Sequence, residues 1–393
     1  MDQQESTTLV EVFNRVPDPR KPRGKRHPWP CIWTIIATAV LSGQRSPHAI
    51  AHWAHLHAQD LLAALQPPRP RLPSEATFRR ALRQIDCATL EQLLAQFTPA
   101  APPPPLVPPA PPPSAHLEGQ AVDGKAVRGA GRHGPRPHLV SLTRHHDACV
   151  LAQTAVTAKR HESSAVPALL HGRDLTGVVI TMDAGLTQRK LATQILEQHG
   201  HYLMVVKRNQ RQLYEDLALF FTAPPLPSEE SWRVVQTMSK GHGRIETRTL
   251  TCTADLEGYV HWPGVQQVLR RECERSVVTT GEVTRSVTYG LTSAPPREAS
   301  AAELEALWRG HWTIENQVHD VRDVTLGEDA GQAACGATPQ VLAAVRNGVL
   351  TLLRRHGWRN IADAVAPMPH PCRRHSSSLA CPSLDFDRAL SMS

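Results

Sequence analysis

The chain lacks closely spaced cysteine pairs. Its eight cysteines are scattered over 393 residues, and none of them forms a C-x-x-C pair. This spacing excludes a zinc ribbon and a redox dithiol of the C-x-x-C type. Because few and dispersed cysteines in a long chain are typical of a reducing compartment, we expect a cytoplasmic protein.

Long hydrophobic runs are also absent. The most apolar stretch, CIWTIIATAVL at 31–41, is too short to cross a bilayer. Basic residues precede it, as in a secretory signal, but the region before it is too long for a signal peptide and contains prolines and acids. We therefore predict a buried helix at this position and no membrane partner.

Positive charge exceeds negative charge. The chain has 43 lysines and arginines against 36 acids, a net charge of +7 and a pI of about 9.1. This balance is compatible with a polyanionic partner, and equally with an ordinary basic soluble protein. Charge alone therefore leaves the partner open.

A proline-rich segment divides the chain. Residues 1–97 have apolar positions at helical spacing, with Ser46 and Ser74 as candidate N-caps, and predict a helical N-terminal domain. Residues 98–117 contain TPAAPPPPLVPPAPPPSA, a polyproline-II tract that forms no packed core and is interpreted as a linker. Residues 367–393 have no periodicity and are predicted to be disordered.

Over 118–366 the pattern changes to strands and helices. Three successive strands come first, then a helix, and then strands alternate with helices, which is the order of a ribonuclease-H-like α/β fold. Between about 231 and 292, period-two alternation predicts an all-β insertion, and a helical pattern runs from near 300 to about 356. The earlier predicted strands are 120–127, 138–143, 149–157, 178–182 and 202–206, and the predicted helices are 163–170, 187–199 and 210–221.

Three acids lie where such a fold would gather carboxylates. Asp123 in AVDGK and Asp183 in VVITMDAG follow strand-like runs, and Glu315 in GHWTIENQVHD lies on a helical stretch. Carboxylates on two strand ends and a helix face can hold two divalent cations roughly 4 Å apart and promote in-line attack on phosphate. Simpler interpretations exist for each motif, such as a hairpin turn at the Asp-Gly pair of the first.

The segment around Glu315 is the most specific. Its aromatic, imidazole, acidic and cationic residues share one face of an α-helix at three- and four-residue steps. They are Trp308, His311, Trp312, Glu315, His319 and Arg322. Such a stripe suits a metal ligand flanked by phosphate-binding groups. The alternative is a surface helix whose tryptophans pack on the core.

Cations beside polar groups occur in further segments that could grip a DNA backbone. KRHES contains Lys159, VVKRNQ contains Lys207 and Asn209, and GHGRIETR contains Arg244. Lys125, close to the first acid, could meet a scissile phosphate. Each of these segments would individually pass as an ordinary loop.

Taken together, the segments resemble the DDE transposases of bacterial insertion sequences, in the branch of the H-repeat-associated proteins. The similarity covers roughly residues 8–365. In the N-terminal part it rests on VPDPRKPRGKRHP, ATAVLSGQRSPHAIAHWA and PSEATFRRAL. In the remainder it rests on AVDGKAVRG, TMDAGLTQ, YLMVVKRNQ, GHGRIETR, YGLTS, HWTIEN and VLAAVRNGVLTLLRRHG.

The resemblance implies a ribonuclease-H-like core in which Asp123, Asp183 and Glu315 are catalytic and bind two Mg²⁺ ions, for which Mn²⁺ can substitute. The implied partners are the terminal inverted repeats of a mobile element and its target DNA. The implied assembly is a homodimer that is cytoplasmic and associated with the nucleoid. The residues assigned to DNA binding are Lys125, Lys159, Lys207, Asn209, Arg244, His311 and Arg322.

Departures from the family pattern leave two alternatives open. Asp320 stands where the branch usually has an aromatic residue, and residues 327–335 are less basic than in the branch. One alternative is a non-catalytic or decayed DNA-binding remnant that regulates the element. The other is a general nuclease of the same fold. The sequence does not specify the inverted repeat, the target site, whether ends pass through a hairpin, or the oligomeric state.

Overall fold

The computed structural model describes residues 8–97 except 24, 117–132, 137–223, 232–255 except 242, 260–331, 333 and 335–365. Nearly all of the predicted linker and the whole of the predicted tail lie outside these ranges. Within them, every helix is too short or too polar to cross a membrane.

Six helices form the N-terminal region. Thr8 and Glu11 make a reciprocal capping box at the start of the first helix. Ser46 accepts a hydrogen bond from the backbone of Ala49, which confirms its predicted N-cap position. The predicted buried helix at 31–41 is confirmed as the second helix. The helices are α1 (Leu9–Arg15), α2 (Trp29–Leu41), α3 (Pro47–Leu56), α4 (Ala58–Leu65), α5 (Glu75–Gln84) and α6 (Cys87–Gln96).

The strands follow. They are β1 (Glu118–Ala126), β2 (His138–Arg144), β3 (Val150–Val156), β4 (Val178–Met182), β5 (His201–Val206), β6 (Arg233–Gly241), β7 (Arg244–Thr253), β8 (Gln267–Val277) and β9 (Val283–Thr292). The five strands predicted before residue 210 are confirmed with small shifts of their ends. Within the predicted all-β insertion, the alternating segments VQQVL at 265–269 and RSVVTT at 275–280 contribute to one strand, β8.

These nine strands form one mixed sheet in the order β3-β2-β1-β4-β5-β9-β8-β7-β6. β1, β2 and β3 are antiparallel neighbours, and β4 and β5 run parallel to β1. An antiparallel meander from β9 to β6 joins the sheet where β9 pairs with β5. The strands expected to form an all-β insertion therefore extend the main sheet.

Alternate residues of the central strands pack against helices on opposite faces of the sheet. On one face, Ile180 and Met204 share a core with three helices. On the other face, their neighbours Val179 and Leu203 share a core with a fourth helix. The first three helices are α7 (Glu162–Leu170), α8 (Arg189–Glu197) and α9 (Arg211–Thr222), and the fourth is α10 (Ala301–Gly310). Because both faces are covered, the central strands are apolar throughout.

The last two helices share a hydrophobic core with the N-terminal helices around Trp33. They are α11 (Thr338–Arg355) and α12 (Ile361–Val365). A β-carbon at Gly348 of α11 would lie 2.9 Å from the side chain of Leu94 in α6, so glycine permits this close packing. The two ends of the chain thus form one helical layer, and the predicted division at the linker stays a prediction.

Two π-helical turns follow α10, at Ile314–His319 and Val321–Thr325. The backbone N–H of Asp320, for example, donates to the carbonyl of Glu315, five residues earlier. The prediction of regular helix from 300 to 356 is therefore wrong in this segment. Single π turns within helices often lie at functional sites.

The altered helical register separates side chains that a regular α-helix would align. Trp308 is buried in the core, whereas Trp312 is 56% exposed. The predicted contact between Glu315 and His319 is confirmed. Arg322, at the other end of the predicted stripe, is fully buried.

A buried ion cluster fixes the π segment to the sheet and to α11. Glu328 accepts hydrogen bonds from Arg322 at 2.7 Å, from Lys125 of β1 at 3.1 Å and from Arg346 of α11 at 3.3 Å. Burial alone would raise the pKa of Glu328, but the three cations outweigh burial and lower the pKa to about 2. The fully buried carboxylate therefore stays ionised and pairs with cations from β1, the π segment and α11.

We predict that Glu328→Gln destabilises the fold by about 3–5 kcal/mol, because it leaves buried cations without their compensating charge. Urea unfolding at neutral pH measures the loss. The matched control is Glu274→Gln, which removes the partner of the exposed Arg285 and is expected to change the free energy of unfolding by less than about 1 kcal/mol. Equal unfolding midpoints for wild type and Glu328→Gln would contradict this role.

Candidate active site

Asp123 and Asp183 lie side by side because of the register of two parallel strands. Val122 of β1 pairs with Met182, the last residue of β4. Each acid is the next residue of its chain, and adjacent strands are about 4.8 Å apart. The side chains of Asp123 and Asp183 therefore start from neighbouring positions at the end of β4.

Gly124 is not part of a hairpin turn, because β1 continues through it to Ala126. Its lack of a side chain has another cause. A β-carbon there would lie 2.2 Å from a carboxylate oxygen of Glu162 and 2.7 Å from Nε2 of His138. Glu162 and His138 form a hydrogen-bonded pair, so glycine makes room for a buried acid–imidazole pair beside β1.

A tight turn holds the Asp183 carboxylate. Its Oδ1 accepts hydrogen bonds from the backbone N–H of Gly185 at 2.9 Å and of Leu186 at 3.3 Å. The hydroxyl of Thr187 donates to the carbonyl of Val205 at 2.7 Å and lies 3.1 Å from the Asp183 carbonyl. The turn is thereby tied to β5, and Asp183 is oriented by backbone donors.

Glu315 approaches Asp123 from the first π turn, whereas Asp183 is not part of this close group. Oxygens of Asp123 and Glu315 and a ring nitrogen of His319 lie within 4.8 Å of one another. His319 Nδ1 is 3.1 Å from Glu315 and 3.6 Å from Asp123. Because both neighbours are carboxylates, Nδ1 carries the proton and donates it to Glu315. His319 therefore orients the carboxylate that the π turn presents.

His319 belongs to the site, although the sequence predicts it only as a member of the stripe with Glu315. The signal for its contact with Glu315 is the four-residue spacing between the two residues. The ring of His319 is 2% exposed, and its Nε2 has no hydrogen-bond partner among the described residues. The imidazole is thus a buried part of the site.

The site concentrates negative charge. Burial is the main cause that raises the pKa of Asp123 to about 7, and the charges of Asp183, Glu315 and Glu162 add to it. The pKa of Glu315 is lowered, first by its hydrogen bond from His319. A partly buried carboxylate beside like charges is a good ligand for a divalent cation, since a cation relieves both burial and repulsion. Oxygen donors suit hard cations such as Mg²⁺.

Two residues assigned to DNA binding are internal. Lys125 is 7% exposed, and its Nζ lies 2.5 Å from Asp323 and 3.1 Å from Glu328. Arg322 is fully buried against Glu328. The prediction that these two cations contact DNA is therefore wrong for this conformation, because neither is accessible and both are neutralised by carboxylates.

Of the other five predicted DNA-binding residues, four lie nearer the surface, whereas the Nδ1 of His311 lies 3.1 Å from the hydroxyl of the buried Thr181. Lys159 and Lys207 are exposed. The amide of Asn209 donates to the carbonyl of Ala184 at 2.6 Å, so Asn209 also supports the turn that holds Asp183. Arg244 is exposed at the start of β7.

A basic cleft opens between the β6–β9 meander and the start of the π segment. Its volume is about 590 Å³. Six cations and one carboxylate, Glu246, line it together with Trp312 and Asn316. The cations are Lys240, Arg244, Arg248, Arg271, Arg275 and Arg309. Asn316, which lines the cleft, is the residue after Glu315 in the sequence.

Half of these cations already form ion pairs. Glu246 pairs with Arg248 and Arg275, and Arg271 pairs with Glu305 of α10. Among the residues that the structure describes, no carboxylate forms an ion pair with Lys240, Arg244 or Arg309. The cleft therefore carries positive charge that is free to bind an anion.

Comparison with known proteins places the chain among transposases. The family model described as "Transposase DDE domain" matches residues 110–341, and a model for a region associated with that domain matches residues 10–98. YncI, a candidate transposase of Escherichia coli O157:H7, is 26% identical over 88% of this chain and 87% of its own length.

Two further likenesses have the same character. YhhI, an H repeat-associated candidate transposase of Escherichia coli K12, is 25% identical over 88% of this chain and 90% of its own length. Among solved structures, the piggyBac transposase in a synaptic complex with hairpin DNA gives a TM-score of 0.40 at 11% identity. That match covers 91% of this chain and 73% of the other.

Proposed function

The chain belongs to the family of transposases with a DDE domain, and from this premise we propose that it cuts the ends of a mobile DNA element and joins them to target DNA. The observation that supports the proposal is the group of Asp123, Glu315 and His319 within 4.8 Å of one another, with Asp183 following the neighbouring strand β4. Family membership alone supports the proposal that the protein is a transposase. The arrangement of the acids supports the further proposal that this transposase retains its catalytic carboxylates.

We propose that these three carboxylates are the catalytic residues and hold two Mg²⁺ ions. When bound, the ions supply Lewis acidity that activates the attacking oxygen and stabilises the leaving oxygen at phosphorus. The protein would hold each ligand in place beforehand: backbone donors orient Asp183, and His319 orients Glu315. Such orientation of ligands by a second set of residues is typical of metal sites.

The strand order supports a ribonuclease-H-like core. β3-β2-β1-β4-β5, with three antiparallel strands followed by two parallel ones, agrees with the order expected from the sequence. We propose that residues 118–366 form this core, with β6–β9 as the insertion that extends it. Residues 1–97 would form an associated helical domain that packs against α11.

We propose that the basic cleft carries one DNA strand to the carboxylates. Its cations without ion-pair partners suit phosphate oxygens, and its lining residue Asn316 is the sequence neighbour of Glu315. Lys159 and Lys207 are further candidates for backbone contacts outside the cleft. Pairing two element ends would require at least two protomers, so we expect a homodimer in the active complex.

The family departures do not require a decayed copy. Within 327–335, Glu328 neutralises Lys125 and Arg322, and Asp329 accepts a hydrogen bond from the backbone of Arg128. The acids in this segment therefore have internal partners. A loss of basic residues there is compatible with an active enzyme.

We predict that Asp123→Asn, Asp183→Asn and Glu315→Gln each abolish Mg²⁺-dependent cleavage of DNA that carries the inverted repeats, while DNA binding persists. Each change removes a charge that a metal ion needs. Mn²⁺ should replace Mg²⁺, whereas Ca²⁺ should support binding without cleavage because its coordination is looser. Gel assays with end-labelled DNA measure both steps.

The control for this series is Asp320→Asn, which removes an exposed acid from the same segment and should leave cleavage intact. Near-normal cleavage by any one of the three variants would remove that residue from the site. The products also separate the alternatives: a general nuclease would cut without end specificity, and a remnant would bind ends without cutting them.

We predict that replacing Lys240, Arg244 and Arg309 together by Gln flattens the salt dependence of DNA binding. Each lost phosphate contact should reduce the slope of log K against log salt by about 0.9 on duplex DNA, so the expected change is about 2–3. Fluorescence anisotropy over a range of salt concentrations measures it. Arg285→Gln, which removes an exposed cation already paired with Glu274, is the control and should leave the slope unchanged. An unaltered slope in the triple variant would exclude the cleft as the DNA path.

A further inference from the structure

The first π turn packs against the turn between β2 and β3. Val318 of the π turn is fully buried and shares a small core with Ala148 and Val150. A backbone hydrogen bond from Arg144 to the carbonyl of Cys149, at 3.0 Å, closes the β2–β3 turn. Within that turn Ala148 has a φ of +54°, a left-handed conformation that residues with a β-carbon rarely adopt. Such a conformation persists only where the surrounding structure determines it, so this turn is held in one conformation where it meets the π turn.

Arg354 of α11 joins the same two turns through their backbones. One guanidinium nitrogen donates to the carbonyl of Ala148 at 2.6 Å, and the other terminal nitrogen donates to the carbonyl of Gln317 in the π turn. A guanidinium presents five N–H donors in a rigid plane, so it can bind two carbonyls at once. Arg354 therefore connects α11, the β2–β3 turn and the π turn at one point.

The guanidinium of Arg354 depends on these carbonyls. Burial lowers its pKa, which shows that its charge is partly withdrawn from water. Among the residues that the structure describes, no carboxylate forms an ion pair with Arg354, whereas Arg346 of the same helix is paired with Glu328. A buried cation is costly unless its hydrogen-bond donors have partners. The two backbone carbonyls supply those partners, and each of them is thereby held in place.

The bond to Gln317 acts close to a proposed metal ligand. Gln317 lies two residues after Glu315 and two residues before His319. The buried ion cluster holds the second π turn, through Arg322. Arg354 instead holds the backbone of the first π turn, while His319 orients the carboxylate that this turn carries. The two kinds of contact together fix both the position and the direction of Glu315.

We propose that Arg354 is a positioning residue of the active site: it anchors the first π turn on the β2–β3 turn and so fixes the Glu315 carboxylate relative to Asp123 before a cation binds. Its significance for catalysis rests on the proposed function, because that function makes both acids metal ligands. The anchoring itself is a property of the metal-free protein. It can therefore be measured without DNA, metal or turnover.

The first test is hydrogen–deuterium exchange of the metal-free protein, read by mass spectrometry in peptides that cover residues 314–319. Arg354→Met keeps an unbranched side chain but removes every donor, and it should speed exchange of the π turn by about 10-fold or more because local opening becomes easier. Arg354→Lys keeps the charge but loses the planar pair of donors. It should give an intermediate increase, and it decides the test if Arg354→Met does not fold.

The matched control is Arg355→Met. Arg355 is the next residue of α11, and its guanidinium donates to the carbonyl of Phe97 at 3.2 Å, beyond the end of α6. The control therefore removes the same type of side chain from the same helix and breaks a different contact with a backbone carbonyl. Exchange of residues 314–319 should remain at the wild-type rate in this variant.

The second test is the affinity for Mn²⁺, measured by electron paramagnetic resonance of the free ion at a temperature where every variant is folded. Removal of a residue that orients a metal ligand typically weakens metal affinity about 10–100-fold, and we expect a loss in that range for Arg354→Met. Arg355→Met should bind Mn²⁺ as the wild type does. A purely structural role of Arg354 would lower the unfolding midpoint and leave the Mn²⁺ affinity of the folded protein unchanged.

Equal exchange of the π turn in the wild type and in Arg354→Met would overturn the proposal. In a wild type that binds Mn²⁺, an unchanged affinity in Arg354→Met would do the same. The two proposals can fail separately. If exchange responds as expected but the wild type neither binds Mn²⁺ nor cleaves DNA, the proposed function fails and the anchoring by Arg354 stands. If cleavage depends on the three acids but Arg354→Met matches the wild type in both tests, the assignment of Arg354 fails alone.

Discussion

The architecture of the site depends on the buried charge balance at Glu328. Lys125 lies two residues after Asp123 in β1, and Arg322 lies three residues after His319 in the π segment. Both cations bind the same carboxylate, which also holds Arg346 of α11. One buried acid thereby connects the strand that carries Asp123 with the segment that carries Glu315, two of the proposed catalytic carboxylates. The same contacts join the sheet to the helical layer.

This cluster acts against repulsion within the site. Three carboxylates brought together repel one another, and burial adds to the cost, as the raised pKa of Asp123 indicates. Without supporting contacts, the segment with Glu315 would move away to relieve the charge. His319 and the Glu328 cluster oppose that movement on the two sides of the π turns. The protein is thus prepared for cations before they bind, which is consistent with the proposed metal-dependent chemistry.

Much of the fold could be predicted because local hydrophobic patterns determine where most of its strands and helices lie. The continuous apolar run at 178–182 indicates a central strand with both faces buried, and Asp183 at its end follows from that assignment. The resemblance to DDE transposases is confirmed by the family match, and the roles that it implies for the three acids stay a prediction. The π turns could not be predicted, since a change from α to π hydrogen bonding leaves no mark in composition.

Long-range partners account for the other differences. Lys125 looks like a free cation in the sequence, because the acids that bind it are about 200 residues away. Arg322 lies on the outer stripe of a regular helix but turns into the core once the register changes. Gly119 and Gly310 carry no signal of their own, because the imidazole of His145, which occupies the space between them, comes from a third segment. The roles of these residues follow from contacts with residues that are distant in the sequence, and local sequence patterns do not show them.

The most direct measurement of the central claim is anomalous diffraction from crystals grown with Mn²⁺. A site built from Asp123, Asp183 and Glu315 should give two anomalous peaks about 4 Å apart, each with an oxygen of Asp123 within bonding distance. Asp183 should complete the coordination of one ion and Glu315 that of the other. A crystal grown in saturating Mn²⁺ that shows no ion between these residues would contradict the two-metal assignment. So would Asp183 or Glu315 oxygens that remain more than about 10 Å from Asp123.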